Sequence, residues 1–340
     1  MQKRYDAIDG LRTIACIGIV LMHVRANGNY AVSGFAFDKL IPSFTNFVFL
    51  FMAISAFGMC CGYYEKILTN KIFIGDFYSK RFIKILPFFA VLVILDLILS
   101  PSLDALYEAF ADLTLLFGFL PNAGNITVIG VGWFIGLVFV FYLIFPFYCW
   151  LIETKKRAWI SFGISLIWNI ACSNYFDVSR SNILYSGCFF LAGGLVYLHR
   201  EQIEQIVTQF RWAVLAGIAG MVAVYYCVSD SVVKMLLLFV LMLSYALREI
   251  RGGGYSLLQN PVTHFISGIS MEIYLSHMVM FRVIEKLHLT HFLGDGLLSY
   301  IITAAGTIMA AVMFSVVCRK IITIIENKAT EIKQIRAEKK

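Results

Sequence analysis

Charge is scarce in this chain. Only 14% of its 340 residues are Asp, Glu, Lys or Arg, against about 25% in a typical soluble domain. That shortage excludes an ordinary water-soluble globule. Proline is scarce as well, with six in all, and no low-complexity linker or internal repeat is evident. The eight cysteines are scattered, mostly within apolar runs, with only Cys60 and Cys61 adjacent. They lack the spacing of a metal site and of an extracellular disulfide framework, which leaves them as small buried apolar residues. The formal net charge of +7 does not point to nucleic acid, because the basic residues fall in short segments rather than in one patch.

What the chain has in abundance is apolar surface. It is 60% hydrophobic with mean hydropathy +0.79, and carries 30 Phe and 17 Tyr. This predicts an all-α fold, a polytopic membrane helical bundle embedded in the lipid bilayer. About ten transmembrane helices are expected, near residues 7–27, 42–63, 82–100, 129–151, 158–173, 182–199, 212–229, 232–248, 264–284 and 297–324. The spans at 158–173 and 232–248 are short for a crossing of ~20 residues. Leu103 to Leu120 has Asp104, Glu108 and Asp112 at every fourth position, which reads as an amphipathic interfacial or packed helix rather than an eleventh span.

Ten spans with both termini cytoplasmic put most of the 28 Lys and Arg on the inner side, as the positive-inside bias requires. The inner segments are then 1–6, 64–84, 152–157, 200–211, 248–251 and 319–340. Lys3 and Arg4 precede an apolar run, but Asp9, Arg12 and the lack of an A-x-A site favour a retained first helix over a cleaved signal peptide. Residues 1–325 read as the transmembrane domain and 326–340 as a polar cytoplasmic tail.

The chemistry begins in the first apolar stretch, Ala7 to Asn27, which carries Asp9, Arg12 and His23. Arg12 and His23 lie eleven residues apart, on nearly the same helical face and roughly 16 Å along the axis. Asp9 shares that face. Three ionisable groups in one span need a protein interior or a polar cavity, although Asp9 and Arg12, at i and i+3, could simply pair. An imidazole accepts or donates a proton near neutrality. Arginine offers a planar fork for phosphate or carboxylate.

Three further stretches stand out. FYSKRFIKILP (77–87) gathers Lys80, Arg81 and Lys84 at one end of a span, as a phosphate site or as simple positive-inside anchoring. GVGWFIGLVFVFYLIFP (130–146) places Trp133 near an interface, where it would anchor, and Tyr142 in mid-span. GISMEIYLSH (268–277) sets Ser270, Tyr274 and His277 on one face, so that His277 could share a cavity with His23. His199, His264, His288 and His291 read as loop or interface residues.

These stretches together resemble the membrane acyltransferase-3 family, which includes bacterial polysaccharide O-acetyltransferases. IDGLRTIACIGIVLMH is similar to its first-helix signature, an Arg followed by ten residues and then His. FLFMAISAFGM, DFYSKRFIKILP, GWFIGLVFVFYLIFP and ISGISMEIYLSH resemble later signatures in the same order, across nearly the whole chain. Two departures stand out. Many members have Ser-Gly-Phe where this chain has Ser55, Ala56 and Phe57, and many carry a Glu where it has Val138.

The resemblance implies an O-acyltransferase of the cell membrane. It would move an acyl group, acetyl by family frequency, from cytoplasmic acyl-coenzyme A (acetyl-coenzyme A) to a hydroxyl of an extracytoplasmic glycan or lipid-linked glycan. No metal is expected. Lys80, Arg81 and Lys84 would bind the donor. His23 would act as general base or acyl carrier, Arg12 would orient the donor or hold the cavity's charge balance, and Asp9 and His277 would complete the catalytic group. Two other readings stand beside it: a transporter or glycan polymerase without acyl chemistry, and a noncatalytic family member, which Val138 keeps open.

Overall fold

The computed structural model describes residues 5–99, 101–120, 130–228, 231–248 and 256–338. Among these the chain is helical, with one isolated β-bridge between Ser256 and Gln259. Helix α1 is Ala7–Asn27. Helix α2, Ala36–Leu68, is one 33-residue apolar run with π-helical turns at Ala36–Leu40 and Cys60–Tyr64. Then come α3 (Ile74–Leu99), α4 (Leu103–Thr114), α5 (Trp133–Leu151), α6 (Lys155–Tyr175) and α7 (Ile183–Leu198). They are followed by α8 (Arg200–Gln209), α9 (Arg211–Cys227), α10 (Val232–Tyr245), α11 (Pro261–Gly268), α12 (Ser270–Lys286) and α13 (Leu297–Glu338).

The all-α expectation holds, but the expectation of about ten transmembrane helices does not. By length and composition four described helices can cross a membrane: Ala7–Asn27, Ala36–Leu68, Trp133–Leu151 and Leu297–Lys328. A fifth is added if α8 and α9, bent by 98° at their junction, count as one span. The reasons are local. Helices α7 and α10 have 16 and 14 residues, about 24 and 21 Å of rise against a hydrocarbon core of ~30 Å. The apolar stretch at 264–284 is divided into α11 and α12 at Ile269. Within the expected span 82–100 helix α3 carries Lys84 and Asp96, and within 158–173 helix α6 carries Ser161, Ser165, Asn169 and Ser173. Leu103–Leu120 is no span either: α4 has 12 residues, with Leu103, Leu106, Tyr107 and Phe110 exposed and Asp112 buried. Lys3, Arg4 and Arg251 lie outside the described residues.

Helix α1 packs against α2, α11, α12 and α13, which makes it the shared wall of the bundle. Helices α2 and α7 pack closely against each other. Gly193 lets the backbones meet there: a Cβ on it would lie 2.1 Å from the Ala53 carbonyl oxygen and 2.9 Å from the Ala56 Cβ. Small residues at a helix contact give membrane bundles their dispersion energy. Beside this crossing Phe49 stacks on Phe189 with centroids 4.3 Å apart, and Phe141 on Phe190 at 4.3 Å. Helix α11 begins on a capping box, Asn260 with Thr263, followed by Pro261, which sets its start beside the first turns of α1.

Candidate active site

At the first turns of α1, the Asp9 carboxylate is buried against α11. Ser267 Oγ donates to Asp9 Oδ1 at 2.7 Å, His264 Nδ1 lies 3.0 Å from Oδ2, and Arg12 Nη1 lies 3.7 Å from Oδ1. Thr13 Oγ1 is shared between the carbonyls of Asp9 and Thr263. The i,i+3 pair expected from sequence exists, as part of a larger tie between two helices. A buried carboxylate needs such donors. His264, read from sequence as a loop or interface residue, is one of them, and only tertiary folding brings it across 255 residues of chain.

Past Asp9, Arg12 turns its guanidinium toward a cavity of about 390 Å³, within the usual range for ligand pockets. Helices α1, α2, α3, α5, α11 and α12 all contribute to its wall. A Cβ on Gly58 would stand 3.2 Å from Arg12 Nη2, so the glycine leaves room for the arginine. Arg81 and Lys84 also line the cavity. Arg81 Nη2 donates to Tyr63 Oη at 2.7 Å, and its guanidinium lies 4.7 Å from the Tyr63 ring centre and 5.7 Å from that of Tyr142. Its Nε is buried without a hydrogen-bond partner. Lys80 is exposed and does not line the cavity.

Three cations thus meet one carboxylate, Glu272, in the lining. Arg319 donates to the Gly268 carbonyl at 2.7 Å and acts electrostatically on Lys84 and Glu272. The balance favours an anionic ligand. Glu272 and Arg319 were not among the expected site residues. A carboxylate in the largely apolar first turns of its helix was the signal for the first, and a basic residue far down a long apolar helix for the second. Val138 forms part of the apolar wall.

Tyr274 lines the cavity and leads to the histidine pair. Its ring lies 5.9 Å from that of His277, and His277 lies 5.1 Å from His23. Tyr274 Oη donates to the Val131 carbonyl at 2.9 Å, which fixes the ring. His277 is fully buried. Its Nδ1 is 2.6 Å from the Tyr274 carbonyl oxygen, an acceptor only, so Nδ1 carries the proton. That leaves the Nε2 lone pair, which has no hydrogen-bond partner. His23 is half-buried, and neither histidine lines the cavity itself.

Arg180 completes this end. It donates to Thr45 Oγ1 at 2.6 Å, lies 5.2 Å from the Trp133 ring centre, and acts electrostatically on His23 and Tyr274. Arg180 was not among the expected site residues, and Trp133 was expected to be an interfacial anchor. Among the described residues no group of three or more His, Cys, Asp or Glu could hold a metal ion.

The structure therefore brings together Asp9 with Arg12, Arg12 with Arg81 and Lys84, and His23 with His277, leaving Lys80 apart. A family model described as an acyltransferase domain, that of acyltransferase family 3, matches residues 5–319. The match takes in the cavity, both histidines and Arg319. Comparisons with curated proteins and with solved structures return no match. On the family match, which spans nearly the whole chain, the protein belongs to the membrane acyltransferase-3 family.

Proposed function

We propose that this multi-pass membrane acyltransferase moves an acetyl group from cytoplasmic acetyl-coenzyme A to a hydroxyl of an extracytoplasmic glycan. The observation that carries this reading is the cation-lined cavity, bounded at one end by Arg12, Arg81 and Lys84 and reaching Tyr274, beside His277 and His23. The donor's phosphates would meet the cations, and its thin pantetheine arm would point along the apolar wall toward the histidines. The basic end then faces the cytoplasm, in keeping with positive-inside bias. Both termini and the polar tail 326–340 lie on that side, with residues 1–325 as the acyltransferase domain.

In the reaction the acceptor hydroxyl oxygen attacks the thioester carbonyl carbon. A C–O bond forms, the C–S bond breaks, and coenzyme A leaves as its thiolate. His23 takes the hydroxyl proton and returns it to the thiolate. His277, with its Nδ1 proton committed to the Tyr274 carbonyl, offers Nε2 beside it as a second proton station. Arg12, tethered by Asp9, orients the donor. A placed base supplies roughly 10²–10⁴-fold.

The test is radiolabelled acetyl-coenzyme A incubated with membranes that contain the protein or its H23A variant, followed by the mass of the surface glycan. The wild type should add acetyl mass and H23A should lose nearly all of it. Full acetylation by H23A at equal protein level would overturn the assignment. A burst of coenzyme A release without acceptor would mark His23 as an acyl carrier, and its absence as a general base.

A further inference from the structure

On the face of α1 turned away from Arg12 lies a second cleft of about 300 Å³. Its walls are apolar: Leu11 and Ile14 of α1, Leu215 and Ile218 of α9, and Met242 of α10. Leu258 closes one side, held against α1 because Gly10 has no Cβ; one there would stand 2.4 Å from the Leu258 backbone. At one end sits Arg248, half-buried, with its guanidinium 5.4 Å from the Tyr245 ring centre. It makes no ion pair or hydrogen bond in the described structure. Arg12 has Asp9, and Arg319 has the Gly268 carbonyl; Arg248 has only an aromatic face.

We propose that this cleft binds one anionic glycerophospholipid of the leaflet at the bundle's basic end, with its phosphate on Arg248 and one acyl chain between α1, α9 and α10. Three observations converge on that occupant. The cleft abuts α1, a membrane-crossing helix, and Ile14 is 38% exposed there, so the surrounding solvent is lipid. The walls are apolar for most of the cleft, which suits a hydrocarbon chain. The one cation stands at the terminus of α10, beside the start of α9, where a headgroup would sit, and arginine matches a phosphate with its planar fork. The site is separate from the reaction cavity and shares only the helix α1 with it. A lipid seated there would support the helix that carries Asp9, Arg12 and His23 from behind.

The test uses the purified full-length protein in neutral detergent, titrated with dioleoylphosphatidylglycerol or dioleoylphosphatidylcholine and followed by native mass spectrometry. One phosphatidylglycerol should bind in preference to phosphatidylcholine. R248Q should weaken phosphatidylglycerol by about fivefold, the usual contribution of one basic residue to an anionic lipid, and leave phosphatidylcholine unchanged. I218W, which fills the cleft without altering charge, should lower the occupancy of phosphatidylglycerol at an unchanged melting temperature. R211Q removes a basic residue at the same end but outside the lining, and should have no effect. Equal affinity for the two lipids, or equal losses in R211Q and R248Q, would overturn the proposal. So would full displacement of the lipid by millimolar sn-glycerol 3-phosphate, which would mean a phosphate site that needs no chain.

Discussion

Arg81→Ala gives the sharpest reading of the cavity. Arg81 presents five N–H donors on a planar fork. One donates to Tyr63 Oη at 2.7 Å, the ring faces of Tyr63 and Tyr142 hold the plane, and Nε has no partner. The guanidinium is therefore positioned before any ligand arrives, with donors still to satisfy. A hydrogen bond to a charged group contributes about 1.5–3 kcal/mol net. Removing one such contact to a donor phosphate should raise the KM for acetyl-coenzyme A roughly ten- to hundredfold. The KM for the glycan acceptor should not move. Initial rates in membranes, with donor and acceptor varied in turn, measure both. R81K should recover only part of the loss, since an ammonium keeps the charge but not the fork. Y63F should cost less than R81A, because it removes one support and leaves the charge. If R81A changes both KM values equally, or lowers kcat with donor KM intact, Arg81 does not bind the donor and the cavity's polarity argument fails.

Four further perturbations separate framework from chemistry. D9A should lower the melting temperature in detergent, because Ser267 and His264 lose their shared acceptor, at a cost of about 1–3 kcal/mol; an unchanged melting curve would refute that tie. H277N keeps a donor near the Tyr274 carbonyl but removes Nε2, so turnover should fall about a hundredfold with stability retained. E272Q removes the one carboxylate in the cavity lining, and should tighten the anionic donor and steepen the salt dependence of its KM. G193A drives a methyl into the Ala53 carbonyl and should destabilise the α2–α7 crossing by about 1–3 kcal/mol, read as a loss of melting temperature without a selective effect on either substrate.

Helix periodicity made the local groups legible and left the long-range ones hidden. Asp9, Arg12 and His23 share one helix, so a spacing of three and eleven residues was enough to put them on a face. Arg81 and Lys84 were visible for the same reason. His23 and His277 are 254 positions apart, yet each lay in an apolar span with few other polar residues, which narrowed their possible surroundings. His264 and Arg180 carried no such mark. Each gains its role from a contact that depends on how α1, α11 and the segment before α7 are arranged. Lys80 was read with Arg81 and Lys84 as one cluster, and the fold leaves it exposed and outside the cavity that the other two line.

The largest misreading, the number of spans, follows from the same physics that builds the cavity. A window of apolar residues cannot tell one continuous helix from two that meet at a break, and 264–284 is broken between Gly268 and Ser270. Non-helical backbone at membrane depth is tolerated only where protein covers it or where it lines a polar cavity. Here the break does both. Ser267, Gly268 and Ser270 line the cavity, and the freed Gly268 carbonyl accepts from Arg319. A continuous helix would have satisfied that carbonyl internally, and Arg319 would then have lost the contact that holds it near Lys84 and Glu272. The π-helical turn Cys60–Tyr64 acts alike on the facing wall, where Gly62 and Tyr63 line the cavity and Tyr63 holds Arg81. The basic end of the site thus depends on two departures from regular α-helix, and regular helices were what the count of ten assumed.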